Sequence, residues 1–517
     1  MKNFLSSAAF LAAAGLLAKL LGAFHKVPLI GVLGAEGTGL YQLVFPMYTV
    51  LLTLSGGGIP QAVSRAVARE NAVGGDERGV LKAALLSMTA VGLLGSASLA
   101  LGGGAVARLQ SNPSAALSYV ALSPAVLLSG LIAAMRGYWQ GKNNMFPTAI
   151  SQLTEQAVKL VVGLSLASYF MRYGVSYGVT GAILGITLSE AVTAVALGAS
   201  LIFARGKEQV YNRRKFMPLV AEISKDALPI GLGSLVLPFL QLIDSVMIVN
   251  LLVIRGADVT EATSLFGIAT APVGAIVNLP PVFTAAVASA LMPVLAAEFG
   301  RGGKAEKQIS DAFASCWFIG ICGAVMIFVF AKEILAMLYF GGLTASQASV
   351  AVNVMRINSI GVLYVCCMQA VCTVLQARGK AYRPALNLLI AGALKIILTV
   401  VLTFVSGVCG SAIATVAAYS LAFVLDVYAA RKYMGAIPFR PLLCCTLAAA
   451  AGGIAGAAAR LIPITGRLAR CVVGGGVFGL VVFAVLLATD TFGLVKRIEN
   501  IFAAVHNAVR RPGRSDR

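Results

Sequence analysis

The sequence predicts an all-α polytopic membrane protein of about fourteen transmembrane helices, on three observations. Hydrophobic residues make up 59% of the 517-residue chain and charged residues 12%, with a mean hydropathy of +0.89; a soluble domain carries about 25% charged residues. The apolar residues fall in runs long enough to cross ~30 Å of hydrocarbon. The loops between the runs alternate in basic content, so the net charge of +20 reads as membrane topology. It does not read as nucleic-acid binding.

The apolar segments run near 5–33, 39–67, 79–103, 117–137, 148–171, 178–204, 223–253, 262–296, 309–330, 346–376, 384–405, 408–431, 441–461 and 467–490. The first reads as a retained helix rather than a signal peptide, because only Lys2 precedes it and it continues past Lys19 without a clean cleavage site. Loops assigned to one side, together with Lys2 and the tail, hold 27 of the 40 basic residues; the other side holds eight, Lys26 among them. The positive-inside rule makes the rich side cytoplasmic, with both termini inside the plasma membrane. An even number of spans follows.

Five basic residues remain inside the apolar runs: Lys19, Arg65, Lys159, Arg356 and Lys395. Snorkelling of a long stem along apolar surface suits Arg65 and Arg356. It does not suit Lys159 and Lys395, which lie about three turns past helix-opening prolines and so near mid-membrane. Lys19 and Lys26 are two turns apart on one helical face. The acidic residues in the spans are Glu155, Glu190, Asp244 and Asp426. Glu155 has a partner four residues on in Lys159, whereas Asp244 needs one from across the bundle. Intramembrane charges of this kind face a polar interior, so Lys19, Lys26, Arg65, Glu155, Lys159, Asp244, Arg356 and Lys395 are the candidate cavity residues.

The stretch 136–159 recurs. Gln140 matches Gln376, Lys159 matches Lys395 and Pro147 matches Pro384, and the next helices open alike at Gly178 and Gly407. The repeat predicts two six-helix lobes in parallel, related by a pseudo-two-fold along the membrane normal, over 1–215 and 216–440. Residues 441–490 add two helices, and 491–517 form a basic, amphipathic cytoplasmic tail. Two spans carry helix breakers: Gly56, Gly57, Gly58 and Pro60 in the second, and Pro280 and Pro281 in the eighth. Broken helix in a membrane belongs where it is buried or lines a cavity, so these are candidate gating positions.

Ala18–Gly22, Lys26, Gly34–Tyr41, Gly58–Arg65 and Arg136–Lys142 with Glu155-Gln156 together resemble the stage V sporulation protein B family. This is the Gram-positive branch of the lipid II flippase-like proteins in the multidrug/oligosaccharidyl-lipid/polysaccharide exporter superfamily. The resemblance implies fourteen helices, two lobes and a cationic central cavity. It also implies export of an undecaprenyl-pyrophosphate-linked saccharide, with the family's basic first-helix positions at Lys19 and Lys26. The Gram-negative members' charges in the second helix are missing at Leu40-Tyr41-Gln42 and Met47–Leu54, which points to the sporulation-type branch.

The residues suit that chemistry without the resemblance. A pyrophosphate dianion in hydrocarbon needs compensating charge, which lysines supply as point donors to phosphate oxygens. Asn278, Gln241, Gln369 and Asn387 are candidates for the saccharide. No cofactor or metal is expected, since His25 and His506 form no ligand set and the nine cysteines read as small buried hydrophobes. Asp244 or the Glu155/Glu190 pair is available to H⁺ or Na⁺, and membrane potential acts on mobile charge directly. The expected partners are the lipid-linked saccharide and membrane lipids, with cell-wall or spore-cortex machinery compatible. The alternatives are a multidrug or cation antiporter, which calls for a more acidic, aromatic cavity, and a membrane-embedded lipid-modifying enzyme, for which no site geometry is visible.

Overall fold

The computed structural model describes residues 2–203, 216–338, 343–436, 438–459 and 466–491; the proposed tail falls outside them. All regular structure among these residues is helical. The first elements are α1 (Lys2–Gly56), α2 (Ile59–Val73), α3 (Glu77–Leu109), α4 (Ala116–Gly141), α5 (Phe146–Phe170) and α6 (Val175–Phe203). Then come α7 (Phe216–Ile254), α8 (Val259–Val277), α9 (Leu279–Gly300), α10 (Glu306–Leu338), α11 (Ala345–Ala377), α12 (Tyr382–Ser406) and α13 (Val408–Met434). The last pair is α14 (Phe439–Ala458) and α15 (Arg467–Ala488).

Thirteen stretches of the described residues are long and apolar enough to cross a membrane, so the chain is a multi-pass membrane protein. The number of crossings turns on three places. Residues 13–73 form one stretch, in which two helices meet at a kink at Gly34 (φ 67°). No loop separates the first two predicted segments there. The predicted eighth segment is instead two helices, α8 and α9, meeting at Asn278. The charged α5 is not among the thirteen.

Local chemistry sets the helix ends. Asp76 caps α3 by accepting from the Gly79 N–H at 2.7 Å, and Thr344 and Gln347 form a capping box on α11. Prolines sit in the first turns of α5 and α9, where a missing N–H leaves no bond unmade. The turn after α4 bonds Asn143 N to Gln140 O and Asn144 N to Trp139 O. The turn after α11 repeats both bonds, Gly379 N to Gln376 O and Lys380 N to Leu375 O.

The layers follow from apolar faces. α3 packs on α4, α4 and α5 on α6, α10 on α11, and α13 on α11 and α12. The α14–α15 pair docks on α10 around the buried Phe330. The long α1 reaches across to α7 and α8. At one end of that contact the Gly39 and Gly267 backbones meet so closely that a Cβ at Gly39 would run into the Thr263 carbonyl. Nearby, the Asn112 amide donates to Thr263 at 2.7 Å and buried Gln110 donates to Ser245 at 3.0 Å. At the other end Gly58 lies against the Ala227 carbonyl and Ile230 of α7. Arg65 pairs there with Asp226 at 3.7 Å and Arg69 with Glu222.

A Gly39→Leu substitution overpacks the first of these contacts, at a cost of about 1–3 kcal/mol. The expected result is a lower unfolding midpoint of the detergent-purified protein, and an unchanged midpoint contradicts this packing.

Candidate functional site

A cavity of about 280 Å³ lies where α1 meets α7, α8, α11, α12 and α13. Its charged lining is Lys26 from α1, Asp244 from α7 and Lys395 from α12. The Lys395 ammonium donates to the Asp244 carboxylate across 151 residues of sequence, with the two side chains only 12% and 20% exposed. That is the partner Asp244 needs from across the bundle. Gln42, Gln241, Asn278, Asn358 and Tyr419 add hydrogen-bonding groups. The junction between α8 and α9 forms part of the wall through Val277, Asn278 and Pro281.

The other face of that junction is apolar. Ile276, Leu279 and Pro280 join Phe24 and Val27 of α1 and Met326 of α10 around a pocket of about 340 Å³. Polar headroom and an oily slot are thus separated by one broken helix, and Lys26 and Val27 of α1 face one each.

α1 and α5 run side by side. Gly15 and Gly22 meet Gln152 and Gln156, and the imidazole of His25 reaches Gly163. By helical spacing, Lys19 and Lys26 share the stripe of Gly15 and Gly22, while Lys159 shares that of Gln152, Gln156 and Gly163. Lys159 therefore acts electrostatically on both His25 and Lys26. His25 is buried, and its Nε2 has no hydrogen-bond partner.

A second cavity, of about 370 Å³, lies within the first six helices and reaches Ser234 of α7. Gly56, Gly57 and Pro60 wall it on one side, where the helix breaks between α1 and α2, and Arg136, Glu155 and Glu190 on the other. Arg136 donates to Glu155 at 2.9 Å and to Ser151 at 2.9 Å. Glu190, 5% exposed, accepts from the Tyr48 hydroxyl at 3.0 Å.

Several expectations need correction. Glu155 pairs with Arg136, not with Lys159, because the α4–α5 hairpin brings α4 against it. Among the described residues Lys159 forms no ion pair. Lys19 is exposed and does not line the central cavity. Arg65 lies outside both cavities, in the surface pair with Asp226. Arg356 sits about 200° around α11 from the cavity-lining Val354, with its guanidinium over the exposed ring of Phe328 at 5.7 Å. Gln369 donates to the Pro281 carbonyl at the helix break. Asn387 donates to buried Asp426, which Cys372 also contacts. Neither amide lines the central cavity, whereas Asn278 and Gln241 do. Sequence reasoning missed Arg136, taken for a loop residue, and Tyr48.

Comparison with known proteins bears on the fold and the family. A family model described as polysaccharide biosynthesis protein matches residues 4–298. The chain is 26% identical over 448 residues to stage V sporulation protein B of Bacillus subtilis (strain 168), covering 84% of each chain. It is 22% identical over 442 residues to lipid II flippase MurJ of the same organism, covering 81% of each. Among solved structures, lipid II flippase MurJ in an inward closed conformation matches with a TM-score of 0.74 at 14% identity, over 93% of this chain and 98% of that one. A multidrug resistance MATE family transporter of the MOP superfamily, inward-facing, matches at 0.63 and 16% identity, over 81% and 94%. These neighbours share the all-α polytopic fold expected from the sequence, and their names are those of flippases and transporters rather than enzymes.

The Arg136–Glu155 pair is 17% exposed on each side, and removing one partner of such a pair leaves a buried charge at a cost of about 3–5 kcal/mol. Glu155→Gln and Arg136→Met should each lower the thermal midpoint more than the double variant does. A thermal double-mutant cycle with Lys159→Met in place of Arg136→Met should show no comparable coupling; the reverse pattern would restore the local pair.

Proposed function

The chain belongs to the polysaccharide biosynthesis protein family, and from that premise we propose that it is a flippase. It moves an undecaprenyl-pyrophosphate-linked saccharide, a peptidoglycan precursor or another polysaccharide unit, from the inner to the outer leaflet by alternating access. The observation that carries this reading is the α8–α9 junction, with Lys26 and Lys395 on its polar side and a wholly apolar pocket on its other side. An anionic headgroup finds compensating charge in the cavity, and the prenyl tail has an apolar slot in the pocket across the break.

Charge balance favours an anion over a cation. The lining carries two lysines and one carboxylate, and that carboxylate is already engaged by Lys395. A bound organic cation would meet Lys26 with no free acid to offset it. In the empty carrier Asp244 holds Lys395, and the pyrophosphate competes for the same ammonium. The glycine break at Gly56–Gly58 and the Pro280-Pro281 break are the proposed bending points, since each borders a cavity. The recurrence of Gln140, Pro147 and Lys159 at Gln376, Pro384 and Lys395 supports two repeated halves, residues 1–215 and 216–440. The basic loops support both termini on the cytoplasmic side.

The test is a leaflet-accessibility assay in proteoliposomes, with fluorescent lipid-linked saccharides run against cationic dyes. A charge-assisted hydrogen bond contributes about 1.5–3 kcal/mol, so Lys26→Met and Lys395→Met should each slow flipping roughly 10- to 100-fold. Lys19→Met should do less, because Lys19 lies outside the cavity. Asp244→Asn should tighten headgroup binding. Movement of the dyes with no movement of the saccharides would sink the proposal in favour of a cation antiporter.

A further inference from the structure

We propose that the second cavity, bounded by Arg136, Glu155, Glu190 and the α1–α2 break, is a proton-uptake site. Glu190 is the group that carries the proton, and Lys159 passes its charge state to the central cavity. The inference rests on the headgroup reading above for its consequence, but not for the site itself.

Two carboxylates share one cavity wall, and the one arginine there is committed to Glu155 at 2.9 Å. Glu190 is left with a neutral donor, the Tyr48 hydroxyl at 3.0 Å. α6 packs on α1, α4, α5 and the short turn 171–173 that precedes it. The titratable and charged groups facing Glu190 from these are Tyr48, Arg136, Glu155 and Lys159. The turn lies at the start of α6, half a helix away. One turn along α6 from Glu190, the Thr193 hydroxyl is fully buried without a partner, so the protein gives this region little polar compensation.

Two carboxylates in one buried site do not both ionise cheaply, and the cavity opens beside them for exchange of a proton. Lys159 lies one turn along α5 from Glu155, on a helix packed against α1, and it acts electrostatically on Glu190 as well as on Lys26 and His25. With Glu190 ionised, Arg136 and Lys159 balance Glu155 and Glu190. With Glu190 protonated, one positive charge is left over, and Lys159 is the cation of the group that has no ion-pair partner. That charge adds to Lys26 at the wall of the central cavity. An anionic headgroup therefore binds the protonated form more tightly. By reciprocity its binding takes up a proton, and affinity rises as pH falls through the titration of Glu190.

Two measurements on the full chain in nanodiscs test this. Infrared difference spectra without ligand, recorded across a pH titration, should show a carboxylic-acid carbonyl band growing as the pH falls. The band should be missing in Glu190→Gln and displaced in Tyr48→Phe; an unaltered band in both variants overturns the assignment. Binding of undecaprenyl pyrophosphate should strengthen about 5- to 150-fold over the same range and lose its pH dependence in Glu190→Gln. Ligand that binds equally at all pH values in the wild type, or whose affinity follows Na⁺ and not pH, overturns the coupling. Ligand that binds at no pH while the band still titrates removes the headgroup reading and leaves the proton site standing.

Discussion

What organises this molecule is the cost of an unmatched charge in a medium that cannot solvate it. An ion taken from water into the interior costs several kcal/mol even after relaxation. The interior accordingly pairs charges across helices: Asp244 with Lys395 and Glu155 with Arg136. Of the charges left over, Lys26 lines the central cavity and Glu190 the second, Lys159 lies on α5 one turn from Glu155, and buried Asp426 takes the Asn387 amide instead of a cation. Function is read from the remainder of that pairing rather than from any one residue.

The second constraint is the backbone. A broken helix leaves carbonyls without N–H partners, and in hydrocarbon each needs another donor. At the α8–α9 junction the Asn278 backbone N–H and its side-chain amide both donate to the Gly274 carbonyl. At the α1–α2 break Gly57 N still finds Thr53 O and Gly58 N finds Gly56 O, while Gly58 gives α7 room to approach. Each break keeps backbone hydrogen bonds beside it and borders a cavity.

Much of this was legible in the sequence. The apolar runs gave the helices, and Gly56–Gly58 and Pro280-Pro281 marked the breaks. Lys395 and Asp244 stood out as charges deep in spans, and Lys26, counted with a loop, by the helical face it shares with Lys19. What was not legible was which neighbour each face meets. Helical spacing made Lys159 the obvious mate of Glu155, yet a hairpin places Arg136 of the preceding helix closer than the next turn of its own. Arg356 shares a helix with cavity residues but not their face. Gly34 reads as a loop and is a kink, because one residue at positive φ redirects the chain without interrupting its helices. Periodicity fixes orientation on one element; pairing depends on how elements pack.

In the proposed cycle the two cavities settle how much charge crosses the membrane. The central lining nets one positive charge, from Lys26, Lys395 and Asp244, so a pyrophosphate dianion leaves the loaded cavity one charge negative. An inside-negative potential favours moving that charge outward by ~2.3 kcal/mol per 100 mV. Leaving it uncompensated in a low-dielectric interior costs several kcal/mol. The second term is the larger, so a loaded carrier gains more from taking up a compensating proton than from the pull of the field. A buried carboxylate without an ion-pair partner, one lysine away from the headgroup, is the arrangement that balance calls for.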